Sequence, residues 1–220
     1  MTAKTKITTA KILFLVVVIL HFIGLFYNHL LAFVSKPLLM TALVFVYLVS
    51  VQKANFWYVS ALFFSFWGDV LLLFENQFFV LGLGSFLITQ LLYTKLVGSF
   101  LKKTSLSKII IISLPFVFYL FSFLYIILDK VIDVKLPVIV YALVISTFGA
   151  LSFLYYLQQK TKASLWLFLG AVLFMLSDSI IALNRFYDTT IDAQVFIMLT
   201  YILAQYLICK SFILQAFSQE

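Results

Sequence analysis

Residues 164–184 read SLWLFLGAVLFMLSDSIIALN, an apolar run with one carboxylate, Asp178, set inside it. A helix that crosses a bilayer takes about 20 mostly apolar residues, within a range of about 17–25. An ionised side chain near a bilayer centre costs roughly 2.5–3.5 kcal/mol on insertion scales, so Asp178 is a functional-site candidate by position alone. Arg185 follows seven residues later, and a second acid, Asp69, stands in Phe66-Trp67-Gly68-Asp69-Val70-Leu71-Leu72-Leu73-Phe74.

Outward from this run the same pattern recurs along the chain. Eight spans are expected, at 11–28, 36–52, 55–75, 78–99, 108–128, 135–157, 164–184 and 193–213. No connection is long enough for a soluble domain. Residues 1–220 are therefore read as one transmembrane domain, an all-α polytopic membrane bundle of eight transmembrane helices with its chemistry inside the bundle or at its rim. The composition agrees: 65% hydrophobic and 10% charged residues, against roughly 45–50% and about 25% in soluble domains. The many Phe residues read as lipid-facing bulk.

The 15 Lys and Arg outnumber the 8 Asp and Glu, but they are scattered over short loops rather than gathered in a stripe. That excludes a nucleic-acid surface and leaves the lipid bilayer as the partner. Cys209 is the single cysteine, so there is no intramolecular disulfide and no cysteine-based zinc spacing; no metal and no cofactor are expected. His29 likewise has nothing nearby that completes a metal site or a dyad. The Lys-bearing N-terminal run lacks a small-residue cleavage site and is read as a retained first helix rather than a signal peptide.

With eight spans both ends of the chain share a side. That side carries Lys4, Lys6, Lys11, Lys53, Lys102, Lys103, Lys108, Lys160, Lys162 and Lys210, against Lys36, Lys130, Lys135 and Arg185 opposite. The excess places both termini in the cytoplasm, with a cell (inner) membrane as the location. Lys95 snorkels from within the fourth span. The far loops also hold Glu75, Asp129, Asp133, Asp188 and Asp192, which carry little weight in the orientation rule. Pro37 and Pro137 are expected at helix starts and Pro115 inside the fifth span, where it would kink the helix. Aligning Asp69 with Asp178 superposes the third span on the seventh. The chain then reads as two four-helix halves, 1–104 and 105–220, in a parallel repeat.

In such a repeat the two acids run at one depth, about fourteen residues into their spans. At 1.5 Å per residue that is roughly 21 Å of travel, leaving about 9 Å to the far interface. The same arithmetic selects His21, Tyr141 and Tyr201. Gln205 lies one turn below Tyr201 on the same face, and Gln90 and Tyr93 share a face of the fourth span at a lower level. Lys36, Asn184 and Arg185 would form a rim above two acids. Arginine suits phosphate because its planar fork donates two parallel hydrogen bonds. An amphiphile with an anionic head and an apolar tail matches this polarity. Plainer readings stand beside these: aspartates that only bond helices together, His21 as a packed helix residue, tyrosines as interfacial aromatics, and Lys36 and Arg185 as snorkelling anchors.

Ser177-Asp178 followed by Ile181-Ala182 and Arg185-Phe186 resembles the SD-x-x-[IL]-A-x-x-[RK]-F signature of the YhhN family, the lysoplasmalogenases. Gly68-Asp69 with Leu72 resembles its GD-x-x-L motif. Lys36-Pro37-Leu38-Leu39-Met40, Gly170-Ala171 with Leu173-Phe174, and Tyr201 with Ala204-Gln205 match as well. At one place the chain departs, with Gln90 where the family has His. Gln carries no proton at neutral pH, so only a hydrogen-bonding role carries over there.

The resemblance implies eight spans and hydrolysis of the vinyl ether of a lysophospholipid, the lysoplasmalogen, to a fatty aldehyde and glycerophospho-ethanolamine or glycerophospho-choline. A vinyl ether is cleaved by protonation at carbon and attack of water on the resulting oxocarbenium ion. Two carboxylates in a low-dielectric site supply an acid and a base, because like charges held close do not both ionise. Glycosidases meet a related problem with the same pair of groups. Asp69 and Asp178 are the expected catalytic pair, without assignment of which is the acid. Tyr141, Tyr201 and Gln205 would orient water or the ether oxygen, Lys36 and Arg185 would hold the phosphate, and Asn184 would line the substrate site at the rim. A proton-coupled transporter for a small or amphiphilic anion is the main alternative, since it uses the same acids and fits a repeat. An intramembrane aspartyl protease is a weaker fit, because Trp67-Gly68-Asp69 lacks the Gly-x-Gly-Asp pattern.

Overall fold

The computed structural model describes residues 2–131, 133–187 and 193–217, and among them every regular element is helical. The helices are α1 (Ala3–Tyr27), α2 (His29–Ser50), α3 (Phe56–Leu71) with a 3-10 turn at Leu72–Phe74, α4 (Glu75–Phe100), α5 (Leu106–Ile127), α6 (Lys135–Gln159), α7 (Lys162–Phe186) and α8 (Gln194–Phe217). All eight are long and apolar enough to cross a membrane, and the chain is a multi-pass membrane protein. Hydrocarbon offers no water to a free N–H or C=O, so a spanning segment must satisfy its backbone internally, as a helix does. Asp188 and Asp192 lie outside the described residues.

The starts of the first two helices differ from expectation. α1 begins at Ala3, where Thr2 caps it by accepting from Thr5 N at 3.3 Å. Pro37 does not open α2 but lies inside it, because Asn28 starts the helix earlier. The Asn28 side-chain oxygen accepts from Leu30 N at 3.0 Å and Leu31 N at 3.1 Å, while its own N–H closes α1 onto the Gly24 carbonyl at 2.9 Å. One residue thus ends one helix and begins the next, and the later proline costs α2 only one backbone bond. Asn28→Ala is expected to lower stability by about 1 kcal/mol, the usual worth of such a cap; a thermal melt identical to wild type would refute this. Pro137 is near the start of α6 and Pro115 is inside α5, as expected.

The chain divides into two compact units, residues up to Thr89 together with those from Phe212 on, and Gln90–Ser211. In the first unit Gly24 lets α1 meet α2 closely, since a Cβ there would stand 2.3 Å from Ala32 N. Tyr47 packs edge-on against Tyr58, 4.6 Å between ring centres, and accepts from Asn55 N. Tyr58 in turn stacks on Phe212 at 4.3 Å. α3 is tied to the first half of α4 by hydroxyls: Ser85 donates to the Phe64 carbonyl at 2.8 Å and Thr89 to the Ala61 carbonyl at 3.1 Å.

In the second unit Gly149 on α6 faces Met175 and Phe116, and Gly170 on α7 faces Ile208 and the Ala204 carbonyl of α8. Without a hydrophobic drive between helices in lipid, such small residues gain van der Waals contact by letting backbones approach. Ser211 donates to the Ala163 carbonyl at 2.7 Å and Ser177 to the Ile197 carbonyl at 3.1 Å, fastening α7 to α8 at two levels. The α6–α7 connection is Lys160 in the left-handed region, φ 50°, followed by a Thr161–Ser164 capping box. The phenylalanines are not all lipid-facing. Phe118 and Phe121 on α5 are exposed, but Phe86, Phe116, Phe148, Phe174 and Phe212 are buried, because a ring fills the volume between helices as well as it meets lipid.

Candidate functional site

Asp178 sits in the fifth turn of α7, half-buried. Tyr141, in the second turn of α6, donates to Asp178 Oδ2. The antiparallel run of α6 and α7 sets an early residue of one beside a late residue of the other, and Gly149 permits the approach. On the next residue, Ser179 Oγ donates to the Met175 carbonyl at 2.7 Å and so must accept from Tyr119 of α5, 2.6 Å away. Gln90 on α4 is fully buried against the Tyr141 hydroxyl. Neither of its amide atoms completes a well-formed hydrogen bond to a protein group. A buried amide in that condition suits a bound water or a polar ligand atom.

A second chain of polar groups runs through the same unit. Tyr93 donates to Gln205 Oε1 at 2.8 Å, and the Gln205 amide nitrogen reaches the Tyr201 hydroxyl at 3.5 Å. All three are buried. Tyr93 leans on Phe148 and Tyr201 meets Phe174 edge-on, so the rings are fixed by packing while their hydroxyls are fixed by the amide. Asn184 and Arg185 occupy the last turn of α7, Asn184 half-buried and Arg185 exposed. A cation there also complements the negative end of the helix.

In the first unit Asp69 is 1% exposed in the last turn of α3, next to Gly68, whose missing side chain makes room for the Phe86 ring. His21 Nδ1 lies 2.9 Å from Ser35 Oγ, and half-buried Lys36 follows Ser35 on α2. Of the residues expected from sequence, the structure thus joins Tyr141, Asp178 and Gln90 in one group and Tyr93, Gln205 and Tyr201 in another, while His21 pairs with Ser35, the residue before Lys36. Among the described residues no group of three His, Cys, Asp or Glu could hold a metal ion.

Tyr119, Ser179 and Ser35 were not singled out by sequence. Ser35 and Ser179 adjoin Lys36 and Asp178, which is a usable signal. Tyr119 lies in Phe116-Val117-Phe118-Tyr119-Leu120-Phe121, which reads as lipid-facing throughout.

A family model described as the YhhN family matches residues 31–212. The match takes in every residue of the first two groups and both aspartates, while His21 precedes it. No curated protein and no solved structure matches the chain.

Proposed function

The chain belongs to the YhhN family, and on that premise we propose that it is a lysoplasmalogenase-like hydrolase. It cleaves the vinyl ether of a lysoplasmalogen, releasing a fatty aldehyde and glycerophospho-ethanolamine or glycerophospho-choline. The observation that carries this reading is the Asp178 carboxylate held by the Tyr141 hydroxyl within a membrane-crossing helix. A carboxylate at such cost calls for a proton-handling role, and the family associates that role with ether hydrolysis.

The reaction begins with transfer of a proton from a carboxylic acid to the β-carbon of the vinyl ether, leaving an oxocarbenium ion on the α-carbon. Water adds to that carbon and gives its proton to a carboxylate. The hemiacetal then collapses: its hydroxyl gives a proton to a carboxylate, the C–O bond to glycerol breaks, the glycerol oxygen takes a proton from the carboxylic acid and the aldehyde departs. Asp178 and Asp69 are the acid and base, Tyr141 orients Asp178, and Gln90, Tyr93, Tyr201 and Gln205 hold water and the ether oxygen. Lys36, Asn184 and Arg185 receive the phosphate. The lysolipid enters from the bilayer of a cell (inner) membrane in which both termini face the cytoplasm, and the halves 1–104 and 105–220 form a parallel repeat.

The test is incubation of the purified protein with a 1-alkenyl lysophospholipid and detection of free aldehyde. Uptake of lipid or anion into liposomes without aldehyde would replace the hydrolase by a transporter. Tyr141→Phe removes one hydrogen bond to a carboxylate, worth about 1.5–3 kcal/mol. If the bond strengthens in the transition state, kcat falls roughly ten- to a hundredfold at little change in KM; an unchanged kcat would show that Tyr141 only packs.

A further inference from the structure

The His21–Ser35 pair between α1 and α2 reveals where the imidazole proton sits. Ser35 Oγ donates to the Leu31 carbonyl at 2.6 Å, with the Ala32 carbonyl at 3.2 Å beside it. A serine hydroxyl has one proton. With that proton committed to a carbonyl, Ser35 Oγ can only accept from His21 Nδ1, 2.9 Å away. The neutral ring therefore carries its hydrogen on Nδ1 and presents a lone pair at Nε2. Nε2 is buried and meets no protein donor, in a residue only 1% exposed.

A buried acceptor left unsatisfied is costly, and native structures nearly always supply it with a donor. The donor here comes from outside the protein, beside the turn of α2 that carries Ser35 and, as the next residue, Lys36. One acceptor beside one cation, on a single helical hairpin, matches a ligand that presents an O–H close to a phosphate. The glycerol of a lysophospholipid does this: its free hydroxyl is on the carbon next to the one that bears the phosphate ester. Acylation there would replace the donor by an ester, which has only acceptors to offer to Nε2.

We infer that His21 Nε2 accepts a hydrogen bond from the free middle hydroxyl of the lysolipid glycerol while Lys36 faces its phosphate, making His21 the residue that selects lyso lipids. The inference rests on the lysolipid reading above, but it concerns a hydroxyl that takes no part in the cleavage. His21 also lies outside the residues that match the family model.

The experiment measures binding to the full-length protein in nanodiscs, by calorimetry, of a non-cleavable 1-O-alkyl lysophosphatidylcholine and of its 2-deoxy analogue, in which hydrogen replaces the hydroxyl. Wild-type protein is expected to bind the hydroxyl form roughly tenfold or more tightly than the deoxy form. His21→Phe is expected to bind both alike, and His21→Gln, whose amide oxygen can accept, to recover part of the preference. Equal affinities in wild type, absence of binding by either lipid, or a preference that survives in His21→Phe would each overturn the assignment. The wild-type comparison stands even where a variant fails to fold. A hydroxyl preference without aldehyde release from the alkenyl lipid would sink the hydrolase and keep this site; aldehyde release with equal affinities would do the reverse.

Discussion

Asp178→Asn is expected to lower vinyl ether hydrolysis by about 10²–10⁴-fold, the range that a positioned acid or base contributes, in a protein that remains folded. Asn has the shape of Asp, and its carbonyl oxygen can still accept from Tyr141, so the contact between α6 and α7 survives the substitution. What is lost is the ability to hold or release a proton. Asp69→Asn should behave in the same way, because the reaction needs one carboxyl to give a proton and another to take one. Its side chain is 1% exposed, and an amide in its place carries no ionisable charge into the interior. Wild-type protein should show a bell-shaped rate profile with pH, each limb losing one of the two required protonation states. Wild-type turnover in either variant, with matching melts, would remove that aspartate from the mechanism.

Gly24→Ala is expected to destabilise the protein by about 1–3 kcal/mol or more, the cost of forcing a methyl into a filled contact. A Cβ at this position would lie 2.3 Å from Ala32 N, 2.7 Å from Ala32 Cα and 2.9 Å from the Leu31 carbonyl carbon. All three are backbone atoms, so no rotamer change can make room and the two helices must move apart. Asn28 joins them with a single residue, and it leaves little chain to absorb the shift. The melting temperature should fall by about 2–4 °C for each kcal/mol. Because Ser35 is one turn beyond Ala32 on α2, the same movement should loosen the His21–Ser35 bond and weaken lysolipid binding. Gly84, by contrast, has open space where a Cβ would go, so Gly84→Ala is the matched control. Equal melts for the two variants would show that the α1–α2 contact is not the constraint.

Much of the helical order was legible in the chain because length and hydropathy alone decide what can cross a bilayer. The two aspartates were legible for the same reason, since a carboxylate inside an apolar run stands out against its surroundings. α2 starts before the proline that marks a helix opening in the sequence, because the Asn28 side chain, nine residues ahead of Pro37, satisfies the first free N–H groups. The inward faces were harder to find. In a helix that is apolar all round, the pattern does not distinguish a phenylalanine against lipid, such as Phe118, from one against protein, such as Phe148.

Sequence by itself determined that this chain is a set of membrane-crossing helices of the YhhN family with two acids inside them, because each of those properties is local: a run, a charge, a short motif. Tertiary structure alone decided which hydroxyl holds Asp178, that Gln205 links Tyr93 to Tyr201, and that the lone pair of His21 points away from Ser35. Those are contacts between helices. They depend on how closely glycines such as Gly24, Gly149 and Gly170 let backbones approach, and on how each hydroxyl spends its single proton.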